Sequence, residues 1–285
     1  MQAAPNAAQI AYWNESAGAR WARLCDRIDA TFEPVTRAAL ESAAPRVGET
    51  VLDIGCGCGA TTFALAQRAG SAAAVVGVDV SEPMLAVANA RAQAFGAGNA
   101  RFVLGDAALH SFETAATDLV FSRFGVMFFD DPVSAFANIR RAMRPAGRLS
   151  FVCWRTLGDS AFFSVPLAAT LPLIEAQSPA DPDAPGPLAF AKPERIRHVL
   201  ETAGYGNIRI EPLDATLPIA GTPPDAAAFL MSVGPVSRLI ANRDGATLAT
   251  IRDALATALV SHKTPRGIEL SAGVWLVSAS SASER

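Results

Sequence analysis

Apolar residues keep two alternating rhythms through the first half of the chain. Short continuous runs stand at 51–54, 73–80, 100–104, 118–122 and 148–154, each the length of a buried strand. Between them, apolar residues recur at helical spacing: through 60–70, then at Met84, Leu85, Val87, Ala88 and Ala92, then at Val133, Phe136, Ile139 and Met143. Punctuation supports the division. Ser81 reads as an N-cap with Pro83 in the first turn, and Asp130-Asp131-Pro132 opens the next helix. Arg140, Arg141 and Arg144 suit its negative end, and Pro145-Ala146-Gly147 stops it. Strand and helix in strict alternation predict a parallel sheet covered on both faces.

The flanks read differently. From Trp21 onward Leu24, Ile28, Phe32 and Val35 predict an amphipathic helical lead-in within 10–40. After Trp154 the rhythm breaks: 158–191 is rich in Pro, Ala and Asp, which reads as an insertion with a helix near 161–174 and then an irregular loop. Further helices are expected at 193–203, stopped by Gly204, and at 225–240 and 246–260. Ile208, Ile210 and Pro212 suggest a strand, and 270–278 a last one.

Composition narrows the class. With 285 residues, 51% of them hydrophobic, the chain suffices for one large α/β domain with embellishments. A formal net charge of −3 argues against nucleic acid as the main partner. No apolar run approaches a membrane span, and the first residues lack the basic start and apolar block of a secretion signal, so a cytoplasmic protein is expected. Cys25, Cys56, Cys58 and Cys153 form neither a CxxC pair nor half of a zinc site; reduced thiols are expected and a metal is not. The histidines His110, His198 and His262 are scattered.

Chemistry concentrates after the first strand, where Gly55-Cys56-Gly57-Cys58-Gly59 separates strand from helix. Such a turn brings bare backbone N–H groups and a helix N-terminus to a ligand. Asp79 ends the second strand and Gly105-Asp106 follows the third; parallel sheets place ligands at these carboxyl ends. Read as Gly55-x-Gly57-x-x-Ala60, the loop also fits the dinucleotide fingerprint. Asp53, inside the first strand, favours a cationic ligand over a pyrophosphate.

In these motifs the chain resembles a class I S-adenosylmethionine-dependent methyltransferase of the quinone-pathway and natural-product branch. The residues concerned are 51–59, Gly77-Val78-Asp79-Val80-Ser81 with Met84, Gly105-Asp106-Ala107, 121–125 and Leu149-Ser150-Phe151. The resemblance implies a Rossmann-like, doubly wound, mostly parallel seven-stranded sheet. It implies methyl transfer to a small-molecule acceptor, with S-adenosylmethionine as cofactor. Gly55, Cys56 and Gly57 would lie against its methionine part, Asp79 would take the ribose hydroxyls, and Val80 and Met84 would pack on adenine, with Gly105, Asp106 and Ala107 at its edge. Backbone near Ser122 and Arg123 would face the amino end, and Tyr12, Trp13 and Asn14 would belong to a closing arm.

Met127, Phe128, Trp154, Phe162 and Phe163, with Arg123, are the expected acceptor pocket. No catalytic base is assigned, since His110 falls near the adenine side. The expected organisation is an arm over 1–45, a cofactor-binding core over 46–155, an insertion or substrate cap over 156–192 and a completing segment over 193–285. A nicotinamide oxidoreductase and a non-catalytic S-adenosylmethionine-binding protein are the alternatives. Oligomeric state is left open.

Overall fold

The computed structural model describes residues 6–175, 181 and 183–281. Eight strands form one sheet: β1 (Thr50–Ile54), β2 (Ala74–Asp79), β3 (Ala100–Leu104), β4 (Thr117–Arg123), β5 (Met143–Trp154), β6 (Tyr205–Ala220), β7 (Lys263–Thr264) and β8 (Gly267–Ser281). Their order is β3-β2-β1-β4-β5-β8-β6, with β7 on β8. The first five pair in parallel, and β8 runs antiparallel to both β5 and β6. Helices cover both faces. The sheet reverses direction of growth at β1 and β4, so a crevice opens beyond their carboxyl ends.

Central strands are buried on both sides, which is why they read as continuous apolar runs: Val51, Leu52 and Ile54 of β1, and Leu119, Val120 and Phe121 of β4, are all buried. Edge strand β6 reads differently. It is 16 residues long but alternates polar and apolar positions and holds Pro212 and Pro218, so only 208–212 in its first half was legible. Proline is tolerated there because an edge strand leaves one side of its backbone unpaired. The eighth strand, β7, is a two-residue ladder on β8 that no pattern announced.

The expected helical lead-in is present as four short helices, Ala7–Asn14, Ser16–Arg23, Cys25–Thr31 and Glu33–Ala43, bent around the cavity described below. Two further expectations need correction. The single helix expected over 225–240 is two, Pro223–Ser232 and Pro235–Leu239, because Gly234 (φ 74°) and Pro235 break it. Arg144 lies past the end of the helix Pro132–Ala142, in β5, where it pairs with Asp118 at 2.5 Å instead of serving the helix dipole. The irregular loop expected after 174 lies partly outside the described residues.

Candidate functional site

Gly55, Gly57 and Gly59 take positive φ of 69°, 54° and 86°. At Gly55 the reason is crowding as well as conformation: a Cβ there would stand 2.6 Å from Gly125 Cα. The loop is pinned by its own strand neighbours. Gly55 N–H donates to the Val78 carbonyl at 2.8 Å, and Gly57 N–H donates to Asp79 Oδ2 at 2.8 Å. The other oxygen of Asp79 accepts from Ser81 N–H at 2.8 Å. Burial raises the Asp79 carboxyl above its ordinary range, against the pull of these two N–H groups. One carboxylate thus sets the glycine turn and the start of the helix Glu82–Phe95, with lone pairs left for a ligand.

Asp53 stands behind this wall rather than on it. It is 0% exposed, and its Oδ2 accepts from the hydroxyls of Thr61 and Thr62 at 2.6 and 2.7 Å. Its Oδ1 is buried without a hydrogen-bond partner, and burial pushes the carboxyl up to about 6, opposed by the two threonine hydroxyls. Asp53 therefore braces the first turn of the helix Ala60–Ala69, a correction to its expected place beside a cationic ligand. Ser122 is likewise set back, wholly buried, with its hydroxyl accepting from Gly125 N–H at 3.2 Å.

The arm closes this end. Asn14 donates to the Val80 carbonyl at 2.7 Å and accepts from Glu82 N–H at 2.9 Å. Ser81 spends its hydroxyl on the Trp13 carbonyl (2.7 Å) instead of capping its own helix. Gly18 makes the approach possible, since a Cβ there would meet the Trp13 carbonyl oxygen at 1.9 Å. Further round, the Asn6 amide donates to both oxygens of Asp106 at 3.0 and 2.8 Å, and Asn6 Oδ1 accepts from Asp130 N–H at 2.7 Å.

Beneath the arm lies a cavity of about 530 Å³. Its wall includes every expected site residue except Asp53, Ser122 and the arm's Asn14: Tyr12 and Trp13, the Gly55–Cys56–Gly57 turn, Asp79, Val80 and Met84, Gly105, Asp106 and Ala107, and Arg123. Met127, Phe128, Trp154, Phe162 and Phe163 line the same space. Here the wall is aromatic. Trp154 stacks on Phe124 (centroids 4.6 Å apart, 4° between planes) and on Phe162 (5.5 Å), and Phe32 meets Phe124, Trp154 and Phe162 edge-on. Arg123 donates to Thr36 Oγ1 at 2.8 Å and pairs with Asp29 at 3.3 Å.

Sequence reading missed Asn6, Asp29, Phe32 and Phe124 on this wall, and the 233–239 segment with Arg238, whose guanidinium lies 3.9 Å from the Tyr12 ring centre. Phe32 carried only a core signal and Phe124 only its place in the motif 121–125; Asn6 carried none. The three histidines stand off the cavity, His110 packing beside Gly105. Among the described residues no group of three or more His, Cys, Asp or Glu is placed to hold a metal ion.

Comparison with known proteins agrees with this geometry. A methyltransferase-domain family model matches residues 51–147. Nocamycin O-methyltransferase of Saccharothrix syringae is 33% identical over 207 residues, 66% of this chain and 71% of that one. Aklanonic acid methyltransferase of Streptomyces sp. (strain C5) is 35% identical over 120 residues, 42% of this chain and about half (54%) of that protein. Among solved structures, the [4+2]-cyclase SpnF superposes with a TM-score of 0.56 at 20% identity, covering 88% of this chain and 81% of its own, a likeness of fold. The chain belongs to the class I S-adenosylmethionine-dependent methyltransferases that act on small molecules. Its cofactor is S-adenosylmethionine, and the nicotinamide and non-catalytic readings find no support.

Proposed function

We propose that the two ends of the cavity divide the reaction, the glycine-loop end holding the methyl donor and the aromatic end the acceptor. The carrying observation is continuity: one space of about 530 Å³ runs from Gly55, Gly57 and Asp79 to Trp154, Phe162 and Phe163. That volume falls within the roughly 300–1,000 Å³ of small-molecule pockets. The donor set at the first end fits a cationic adenosyl ligand. Asp79 offers carboxylate lone pairs to a ribose diol, Val80 and Met84 offer apolar contact to a purine, and Asp106 with Ala107 lies at its edge. Gly55, Cys56 and Gly57 hold the methionine part by backbone, and the backbone near Ser122 and Arg123 flanks its amino end.

S-adenosylmethionine supplies an activated methyl group on a sulfonium. The chain's own task is position and exclusion of water. Trp13 and Tyr12 on the arm roof the donor end, and Met127, Phe128 and the Trp154 stack give a flat apolar face against which an acceptor is held in line. Arg123, already paired to Asp29, is placed to meet an anionic group of donor or acceptor. We assign no general base.

The acceptor is a flat or apolar small molecule, a reading supported by the aromatic wall and by relatives named for nocamycin and aklanonic acid. In this scheme 1–45 is the closing arm, 46–155 the donor-binding core, 156–192 the substrate cap and 193–285 the completion of the sheet. No helix among the described residues is long and apolar enough to cross a membrane; we place the enzyme in the cytoplasm, with no nucleic-acid partner. Thermal shift with S-adenosylhomocysteine and with NADH tests the donor: stabilisation by the first alone is expected, and stabilisation by NADH alone refutes the reading. Transfer of label from methyl-labelled donor into host metabolite extract then identifies the acceptor.

A further inference from the structure

Two thiols meet where the arm touches the glycine loop, and neither has a part in the contacts proposed above. Cys25 begins the arm helix Cys25–Thr31, and Cys58 lies in the loop; both are buried, yet both line the cavity. They pack with Met84 in a small apolar cluster separate from the main core, with Trp13 and Trp21 against it. One guanidinium spans the junction. Arg91 Nη2 donates to Cys25 Sγ at 3.1 Å, and Nη1 donates to the Cys58 carbonyl at 3.0 Å. Asp26 and Asp29, both on the arm helix, hold that guanidinium in place.

The two sulfurs are not equivalent. The guanidinium reaches the sulfur itself only at Cys25; at Cys58 it reaches the backbone carbonyl. Burial, then the neighbouring Cys25 and Asp29, push the Cys58 thiol up. Cys25 is thereby the nucleophile and Cys58 the resolving thiol. The other cysteines are turned away. Cys56 Sγ faces the sheet, 2.8 Å from where a Cβ on Gly77 would stand, and Cys153 is 0% exposed within β5.

We propose that Cys25 and Cys58 are a disulfide-forming pair, a modification site that fastens the arm to the glycine loop when a peroxide enters the cavity. The Cys25 thiolate attacks one peroxide oxygen and breaks the O–O bond. This gives a sulfenic acid, and the hydroxide released takes up the thiol proton as water. The Cys58 sulfur then attacks Cys25 Sγ, the S–S bond forms, and the sulfenic hydroxyl leaves as a second water with the Cys58 proton. Two thiols are oxidised by two electrons, and hydrogen peroxide is reduced to two waters. In a reducing compartment such a bond is transient and reports redox state. Its consequence, a locked donor site, rests on the cavity being that site; the bond itself does not.

The test uses the full chain, reduced and then treated with hydrogen peroxide, with and without preloaded S-adenosylhomocysteine. Intact mass falls by two hydrogens, peptide mapping joins Cys25 to Cys58, and dithiothreitol reverses both. Release of S-adenosylhomocysteine slows roughly tenfold or more, as expected when arm opening limits exit. In Cys58→Ser the cross-link is lost and a sulfenic acid at Cys25 is trapped by dimedone; Cys25→Ala shows neither. Gain of oxygen without a cross-link in the native chain overturns the proposal, as does a bridge to Cys56. A Cys25–Cys58 bond with unchanged release overturns the lock. If the bond forms and S-adenosylhomocysteine binds neither form, the donor-site reading fails while the modification site stands.

Discussion

At the glycine-loop end the cavity wall is backbone and carboxylate, whereas at the far end it is ring against ring. The first wall comes mainly from the ends of β1, β2 and β3 and the turns that follow them, with Asp79 fixing both Gly57 and Ser81. The second gathers Phe32 from the arm, Phe124 after β4, Trp154 at the end of β5 and Phe162 and Phe163 beyond it. A backbone-built wall is specified by short motifs and tolerates few side chains. A wall of packed rings is part of the hydrophobic core, and its shape depends on elements distant in sequence.

This contrast breaks or sharpens on four measurements. The largest effect is expected at the aromatic end: Trp154→Ala removes a 4%-exposed ring from the stack and lowers unfolding free energy by about 3–5 kcal/mol in urea titration. Affinity for S-adenosylhomocysteine should then stay within about threefold, since the ring partners of Trp154 are Phe32, Phe124, Phe162 and Phe163 and not the glycine loop. An equal loss of both would merge the ends.

Next comes Asp53→Asn. The native fold keeps Asp53 protonated up to about pH 6, while the unfolded chain releases that proton near 3.8, so the folded state binds more protons between those values. Stability is therefore lost as pH rises through that window, by on the order of 3 kcal/mol between about pH 4 and pH 7. The variant, whose amide oxygen still accepts from Thr61 and Thr62, lacks that fall. Asp79, shifted in the same direction, contributes in both chains. Parallel pH profiles for the two proteins would refute a buried, neutral-leaning Asp53.

Asp79→Ala is expected to weaken S-adenosylhomocysteine binding about 100-fold, on the order of 2.7 kcal/mol, by calorimetric titration. Retained affinity there would remove the carboxylate from the donor wall. The smallest effect belongs to Asn6→Ala. Loss of its bonds to Asp106 and Asp130 should loosen the arm by on the order of 0.7 kcal/mol, hastening release of the same ligand about threefold in stopped flow. Slower release would mean that Asn6 competes with the ligand for Asp106 rather than latching the arm.

The alternation through Trp154 was legible because each central strand is buried on both faces and each crossover helix on one, so burial writes itself into the pattern. Asp79 and the glycines were legible for a related reason: a tight turn against Gly125 and a strand-end carboxylate are local demands on residue type. Asp53 was misread because a buried carboxylate and a ligand-facing one look alike in one dimension. Which of them it is depends on Thr61 and Thr62 turning back from the next helix.

The chain's own letters thus determined the sheet's central order of elements, the glycine turn after β1 and the family, since these rest on neighbours within a few residues or on repeated periodicity. Tertiary structure alone decided that Asn6 reaches Asp106 across 100 positions, that Phe32, Phe124 and Trp154 share one ring cluster, and that Cys25 lies against Cys58. Such contacts arise from how the N-terminal helices fold back over the strand ends. Apolar spacing dictates that a ring is buried; only packing selects the rings it is buried against.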